Sequence, residues 1–392
     1  MRTFILILGL ILLIAAEILR VYFIMPFPGS QQRNTVAVAY WLDQNLGWLR
    51  LLLLAVIAYP AMQVLRQRKL WRKLLLAGGL LLYGVVFYYF NFRFLAAKIF
   101  YQPRVKSFSS ASTNKVSKDK LVVGVEINGE AKSYPIQLIG YHHQVRDTVG
   151  GQPVMVTYCT VCRTGRVFSP LVDGKNETFR LVGMDHFNAM FEDASTKSWW
   201  RQVSGEAITG PSKGKHLQEI PSQQMSLAAW LRLHPTSTVL QPDTAFNKSY
   251  KDLADFDRGT IKSSLEKRDS LSWKPKSWVI GIAHGDAAKA YDWNELVKEQ
   301  IIQDSLPGLP LLVVLESDTA SFHAWSRLVN GSVLHFEGPD KLQLLKDANT
   351  GSTWTMSGIC VSGSMQGARL QPVQASQEFW HSWKTFHPTT EK

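Results

Sequence analysis

The 392-residue sequence predicts an α+β, β-rich and internally duplicated ectodomain preceded by an all-α membrane region of three transmembrane helices. Three observations predict it. Long apolar segments crowd the first hundred residues. Residues 122–169 and 279–326 carry one pattern twice. Within each copy, short alternating runs outnumber helical periods.

The membrane region comes first. Residues 4–25 are apolar except for Glu17 and Arg20, and residues 74–92 carry no charge. Either can cross ~30 Å of hydrocarbon. Residues 51–65 form a shorter apolar run between them. The formal charge is +12, of which residues 1–104 hold +10 and the remainder +2. A basic excess beside apolar segments orients a membrane protein, so nucleic acid is excluded as a partner and the lipid bilayer is the expected one. Arg66-Gln-Arg68-Lys69-Leu-Trp-Arg72-Lys73 holds five positive charges in eight residues and marks a cytoplasmic loop. The amino terminus is then cytoplasmic, and residues after about 98 lie outside the cell inner (plasma) membrane. Phe87-Tyr-Tyr-Phe90 fits the outer aromatic belt. The first segment shows no small-x-small cleavage site, which favours an anchor over a signal peptide. Glu17 and Arg20, three residues apart, read as a pair snorkelling at the rim.

Residues 105–118, rich in Ser, read as a tether. Two copies follow: 119–245, the first repeat with a Cys-x-x-Cys site, and 278–392, a second, degenerate repeat. The charged, poorly periodic stretch 246–277 reads as a linker or surface excursion between them. At a constant offset of 157, Val122, Gly124, Ala131, Lys132, Tyr134, Asp147, Gly151, Pro153, Val156 and Ser169 recur as identical residues. Further on, Asp193/Thr196/Ser198/Trp200 match Asp347/Thr350/Ser352/Trp354, and Trp230 with His234-Pro-Thr236 matches Trp383 with His387-Pro-Thr389. A period this long is a duplicated domain-sized unit and no solenoid.

Within the first copy, Leu121–Tyr134 is two alternating runs around Asn128-Gly129, a strong hairpin signal. Ile136–Val145 suits a short helix, Val154–Tyr158 a buried strand, and Gly165–Phe168 and Glu177–Val182 two more strands. Leu227–Leu233 is a short helix stopped by Pro235. The Asp193 motif recurs in both copies and reads as turn and packing chemistry.

Residues that are shared serve the fold, so chemically loaded residues confined to one copy are the functional candidates. Cys159-Thr-Val-Cys162 occurs only in the first copy. The counterparts of His142, Cys159 and Cys162 are Glu299, Glu316 and Thr319, so this set is lost together. Two thiolates and an imidazole suit a soft metal ion, copper or zinc. His186 and His143 are possible additional ligands. Cys360 aligns with Ala207 and reads as a buried small hydrophobe. Arg163 after Cys162 disfavours haem attachment, and the turn that follows disfavours a thioredoxin-like motif.

These residues carry a resemblance. His142 followed by Asp147, Gly-Gly-x-Pro153, Val-Thr-Tyr158-Cys159-x-x-Cys162, Thr164-Gly165, the Asp193 motif and the Gly205, Gly210, Gly214 series resemble the family catalogued as domain of unknown function 3179, over residues 119–388. The sequence departs from it at His143, where the family tends to carry an acid, at Arg146, where it tends to carry Asn, and at Thr160-Val161. The resemblance implies that the Cys pair and His142 are the special site; it implies no reaction.

Three readings stand. The chain is a membrane-anchored, extracytoplasmic protein that binds copper or zinc at Cys159, Cys162 and His142. Alternatively, Cys159 and Cys162 are the reversible dithiol of a thiol–disulfide oxidoreductase. In the third, they are a structural bridge in a non-enzymatic envelope module. Whether it is an enzyme is open on the sequence alone.

Overall fold

The computed structural model describes residues 1–392. The chain divides into two compact units: residues 1–101 with 177–216, and residues 102–176 with 217–392.

The first unit contains three helices, α1 (Arg2–Tyr22), α2 (Val36–Leu65) and α3 (Leu70–Phe92). All three are long and apolar enough to cross a membrane. Helix α2 begins well before the apolar run 51–65, because Val36–Leu54 contains no proline and its single Gly47 is tolerated; Pro60 is also accommodated inside it. The expected pair of Glu17 with Arg20 does not form. Glu17 is fully buried and is forked by Arg50 at 2.5 and 2.7 Å, with Asn91 donating at 2.9 Å. Arg20 donates to Asp43 at 3.3 Å, to Asn91 and to the Phe90 carbonyl. Two residues one turn apart on α1 thus tie α1 to both other helices, where a charge without a partner is costly.

The same unit holds a four-stranded antiparallel meander of Phe179–Asp185, Asn188–Asp193, Trp199–Arg201 and Ala207–Thr209. Its apolar face, Val182, Met190 and Trp199, packs with Ile24, Val36 and Ala39. Asp193 accepts from the Thr196 amide and hydroxyl and from Trp200 Nε1 at 2.8 Å, closing the turn before the third strand.

The second unit contains two β assemblies of like order. In one, the hairpin Leu121–Ile127/Glu130–Pro135 is followed by the helix Ile136–His142 and then by strands Gln144–Val149, Gln152–Cys159 and Thr164–Phe168. In the other, Trp278–His284/Ala287–Asp292 is followed by the helix Trp293–Glu299 and strands Ile301–Leu306, Leu309–Leu315 and Phe322–Ser326. Both helices end on a left-handed residue, His143 and Gln300, each at φ 61°. The helix Leu227–Leu233 lays Trp230 over Gly124, and the helix Trp380–Phe386 lays Trp383 over Gly281. The Asp347/Thr350/Trp354 triad repeats the bonds of Asp193/Thr196/Trp200.

Two segments behave differently from the sequence expectation. Residues 105–118 are fastened down: the Arg104 and Val105 amides bond Asp243 Oδ2, and Phe108–Ser109 pairs with Thr238–Leu240. Residues 246–277 supply core: Phe246, Tyr250, Phe256 and Ile261 bury with Val123, Ile139 and Tyr158. Spacing four apolar residues irregularly among charges hides them from any periodicity test.

A methyl group on Gly281 would sit 2.1 Å from the Trp383 ring. Gly281→Ala is therefore expected to cost about 1–3 kcal/mol through overpacking, read as a lower urea midpoint with an unchanged slope.

Candidate functional site

The Cys-x-x-Cys segment is the connection between two paired strands. Gln152–Cys159 is buried from Val154 onward, so Cys159 is delivered inward with the strand's end. Residues 160–163 make the turn, Arg163 lies at φ 56°, and Thr164 pairs back with Cys159. A left-handed non-glycine residue is uncommon. Arg163 is held there by its side chain: Nε donates to Gln377 Oε1 at 2.9 Å and the two Nη donate to the Phe256 and Asp257 carbonyls at 3.2 Å.

Both cysteines are fully buried, and no disulfide joins them. The thiols hydrogen-bond each other, and Ser382 bonds the Cys162 sulfur. Burial pushes the Cys162 thiol well above the usual range, and Cys159 adds to this; Ser382 and Lys276 pull the other way. The Lys276 ammonium caps the turn by donating to the Val161 carbonyl at 2.6 Å, and His381 Nε2 lies 3.1 Å from both that oxygen and Lys276 Nζ. Burial lowers the Lys276 pKa, and negative charge on Cys162 and Cys159 opposes it. Ser382 Oγ donates to Glu378 Oε2 at 3.0 Å, and Arg166 donates to Glu378 Oε1 at 2.8 Å. Burial raises the Glu378 carboxyl. Cys162, Ser382, Glu378 and Arg166 thus form one hydrogen-bonded series.

His142 takes a different place. Its Nε2 is 2.6 Å from Tyr250 Oη, and its ring packs edge-on against Tyr141, Phe246 and Tyr250. His143 caps its helix in the left-handed conformation with Nδ1 3.2 Å from the Tyr141 carbonyl. His186 belongs to the first unit, in a hairpin turn, with Nδ1 2.6 Å from Asp185 Oδ1, whose other oxygen Arg201 grips. No group of three or more His, Cys, Asp or Glu side chains is placed to hold a metal ion. The expected three-ligand set of Cys159, Cys162 and His142, with His143 or His186 added, is therefore not assembled. The physical reason is that the linker's Tyr250 and Phe246 enclose the imidazole. Cys360 is buried in an apolar cluster, as its alignment with alanine implies.

The sequence profile of a family described as protein of unknown function DUF3179 matches residues 99–390. The chain belongs to the DUF3179 family. Its match spans both β assemblies and the Cys-x-x-Cys turn, so the family's shared features include this site's scaffold. Neither the curated proteins nor the solved structures compared contain a match.

Lys276, His381 and Ser382 are the neighbours that sequence reasoning missed. At the offset of 153 that aligns Trp383 with Trp230, His381-Ser382 stand where the first assembly has Ala228-Ala229. Chemically loaded residues opposite alanines are the sequence signal that finds them.

Burial depresses the His143 pKa from 6.5 to about 4, with the Tyr141 carbonyl opposing. Its ring is neutral when folded down to about pH 4, yet protonates near 6.5 when unfolded. Its contribution is thus complete above pH 6.5 and is lost as pH falls toward 4, by about 3 kcal/mol for this one group. His381 is depressed in the same direction. Urea unfolding at pH 7 and pH 4.5 is expected to show this loss, reduced in His143→Gln, since Gln300 holds the same backbone geometry in the second assembly.

Proposed function

We propose that this DUF3179 protein is a membrane-anchored, extracytoplasmic protein that holds one copper(I) ion between the thiolates of Cys159 and Cys162. The observation that carries the reading is two adjacent, fully buried thiols with a lysine ammonium over their turn. Soft thiolates select copper(I), whereas structural zinc asks for four ligands, and no third His, Cys or acidic ligand is grouped with the pair. Binding replaces two S–H bonds by two S–Cu bonds and releases two protons. One proton has a path from Cys162 through Ser382 to Glu378. The charges then balance: two thiolates against one copper(I) and the Lys276 ammonium. A divalent ion would leave a net positive charge in a buried site, which is costly.

The burial speaks against a thiol–disulfide oxidoreductase. Attack on a partner disulfide requires a thiolate within reach of a second protein, and here the sulfurs are covered and the Cys162 thiol is held protonated. A bare ion needs far less access. In this reading His142 is not a ligand. The positive loop between α2 and α3 sets the amino terminus in the cytoplasm. The two β assemblies are copies of one ancestral unit, supported by their common element order and by the Trp230/Gly124 and Trp383/Gly281 contacts.

Full-length protein purified in detergent with copper(I) under reducing conditions is expected to carry one copper per chain and only trace zinc. Cys159→Ser and Cys162→Ser each lose it, while His142→Phe retains it. X-ray absorption is expected to report two sulfur ligands. Copper that survives in Cys159→Ser, or a metal-free pair that cycles reversibly with glutathione, would overturn the assignment.

A further inference from the structure

A cavity of about 420 Å³ opens in the second unit where two strands lose their partners early. Leu121–Ile127 pairs with Gln223–Ser226 only as far as Gly124, although its hairpin partner follows it to Ile127. Gln371–Pro372 pairs only with Trp325 and Ser326, so Phe322 and His323 border open space. The volume is in the range of small-molecule sites. Pro221, Trp230, Phe322, Trp325, Pro372 and Val373 supply apolar wall. The polar side chains of the lining are Ser222, three glutamines, His234, His323 and Glu126, and no lysine or arginine joins them.

The charge of this lining follows from its partners. Glu126 stands half-exposed at the rim, with Oε2 3.5 Å from His234 Nδ1. Burial lowers the His234 pKa and Glu126 opposes this, so that imidazole is neutral at pH 7. His323 is only 4% exposed. Its Nε2 is 2.8 Å from Glu316 Oε1, and a carboxylate accepts, so Nε2 carries the proton. Arg232 on the other Glu316 oxygen cancels that carboxylate's charge, so nothing holds a second proton on the ring. Nδ1 of His323 is then an acceptor with no partner in the chain, and it keeps contact with open space. The whole lining thus carries a single negative charge, that of Glu126, and one further unmatched acceptor.

An anion is repelled by such a wall, and a dication would leave charge uncompensated. A quaternary ammonium has no N–H to give the two acceptors. It also lacks the open aromatic face it favours, because His234 stacks on Trp230 at 4.1 Å and His323 on Trp325 at 5.8 Å. We propose that this cavity binds a small primary amine as its ammonium ion, with Glu126 as the counter-ion and the alkyl body against the apolar wall. A half-exposed carboxylate alone holds an ammonium weakly, so the alkyl body must contribute by burial. The assignment is independent of the copper reading, since it uses none of the groups in contact with the two sulfurs.

Calorimetric titration of the full chain in detergent tests it, with isobutylamine as the probe and the heats of titration into detergent alone subtracted. Isobutylamine is expected to bind at least tenfold more tightly than isobutanol, which lacks the charge, and than methylamine, which lacks the body. Glu126→Gln is expected to weaken isobutylamine at least tenfold, with an unchanged thermal transition showing that the variant is folded. Absence of isobutylamine binding up to tens of millimolar would overturn the proposal. So would equal affinity for isobutanol, which would remove the role of charge, or for methylamine, which would reduce the site to a surface carboxylate. Undiminished binding in folded Glu126→Gln would overturn it as well.

Discussion

The second unit depends on one buried cation. Arg163 is fully enclosed, and its guanidinium reaches two parts of the chain with three hydrogen bonds: Gln377 on one strand, and the carbonyls of Phe256 and Asp257 in the connecting segment. It also stacks on Trp278 and Phe256. A buried guanidinium with unsatisfied donors is costly, so these contacts are made together or not at all. They fix the backbone immediately after Cys162, which is why the thiol pair is presented in one geometry.

The two β assemblies are joined by exchange. The Phe379 amide donates to the Cys162 carbonyl, and the Ser226 amide donates to Ser321 Oγ. Between them, Gln224 Nε2 donates to Gln377 Oε1 at 3.0 Å. The strands Gln223–Ser226 and Ser376–Phe379, each just before its assembly's closing helix, thus reach the other assembly's turn. The Cys-x-x-Cys turn consequently receives its cover, Lys276, His381 and Ser382, from the other assembly and the segment before it. A site completed in this way needs both assemblies, even though only one carries the sulfurs.

Local patterns were well read from the sequence. The Asn128-Gly129 hairpin, the strand leading to Cys159 and the helix Leu227–Leu233 all rest on short-range rules, and each is present. What failed was partner choice across long separations. His142 was matched to the sulfurs because both disappear from the second copy, but disappearance together does not require contact. Tyr250, 108 positions away, took the imidazole instead. Glu17 likewise chose Arg50 over the nearby Arg20. In both cases the winning partner lies in a segment whose sequence shows no periodic signal, or on a neighbouring helix, so its position follows only from tertiary packing. His381-Ser382, chemically loaded where the first assembly has alanines, carry the same kind of signal in the opposite direction.

The first unit is stitched from two distant stretches, the opening hundred residues and Glu177–His216. Ile24, Val36 and Ala39 therefore wait for Val182, Met190 and Trp199, which emerge from the ribosome only after more than a third of the chain has been added. Synthesis at about 5–20 residues per second leaves this apolar patch uncovered for roughly ten to thirty seconds after the first helix has been made. It also means that excising the polar region as a free-standing fragment would strip the meander of its natural backing and leave a bare tryptophan-bearing sheet face, a recipe for sticking. Handling the chain whole follows directly from how its parts are interleaved.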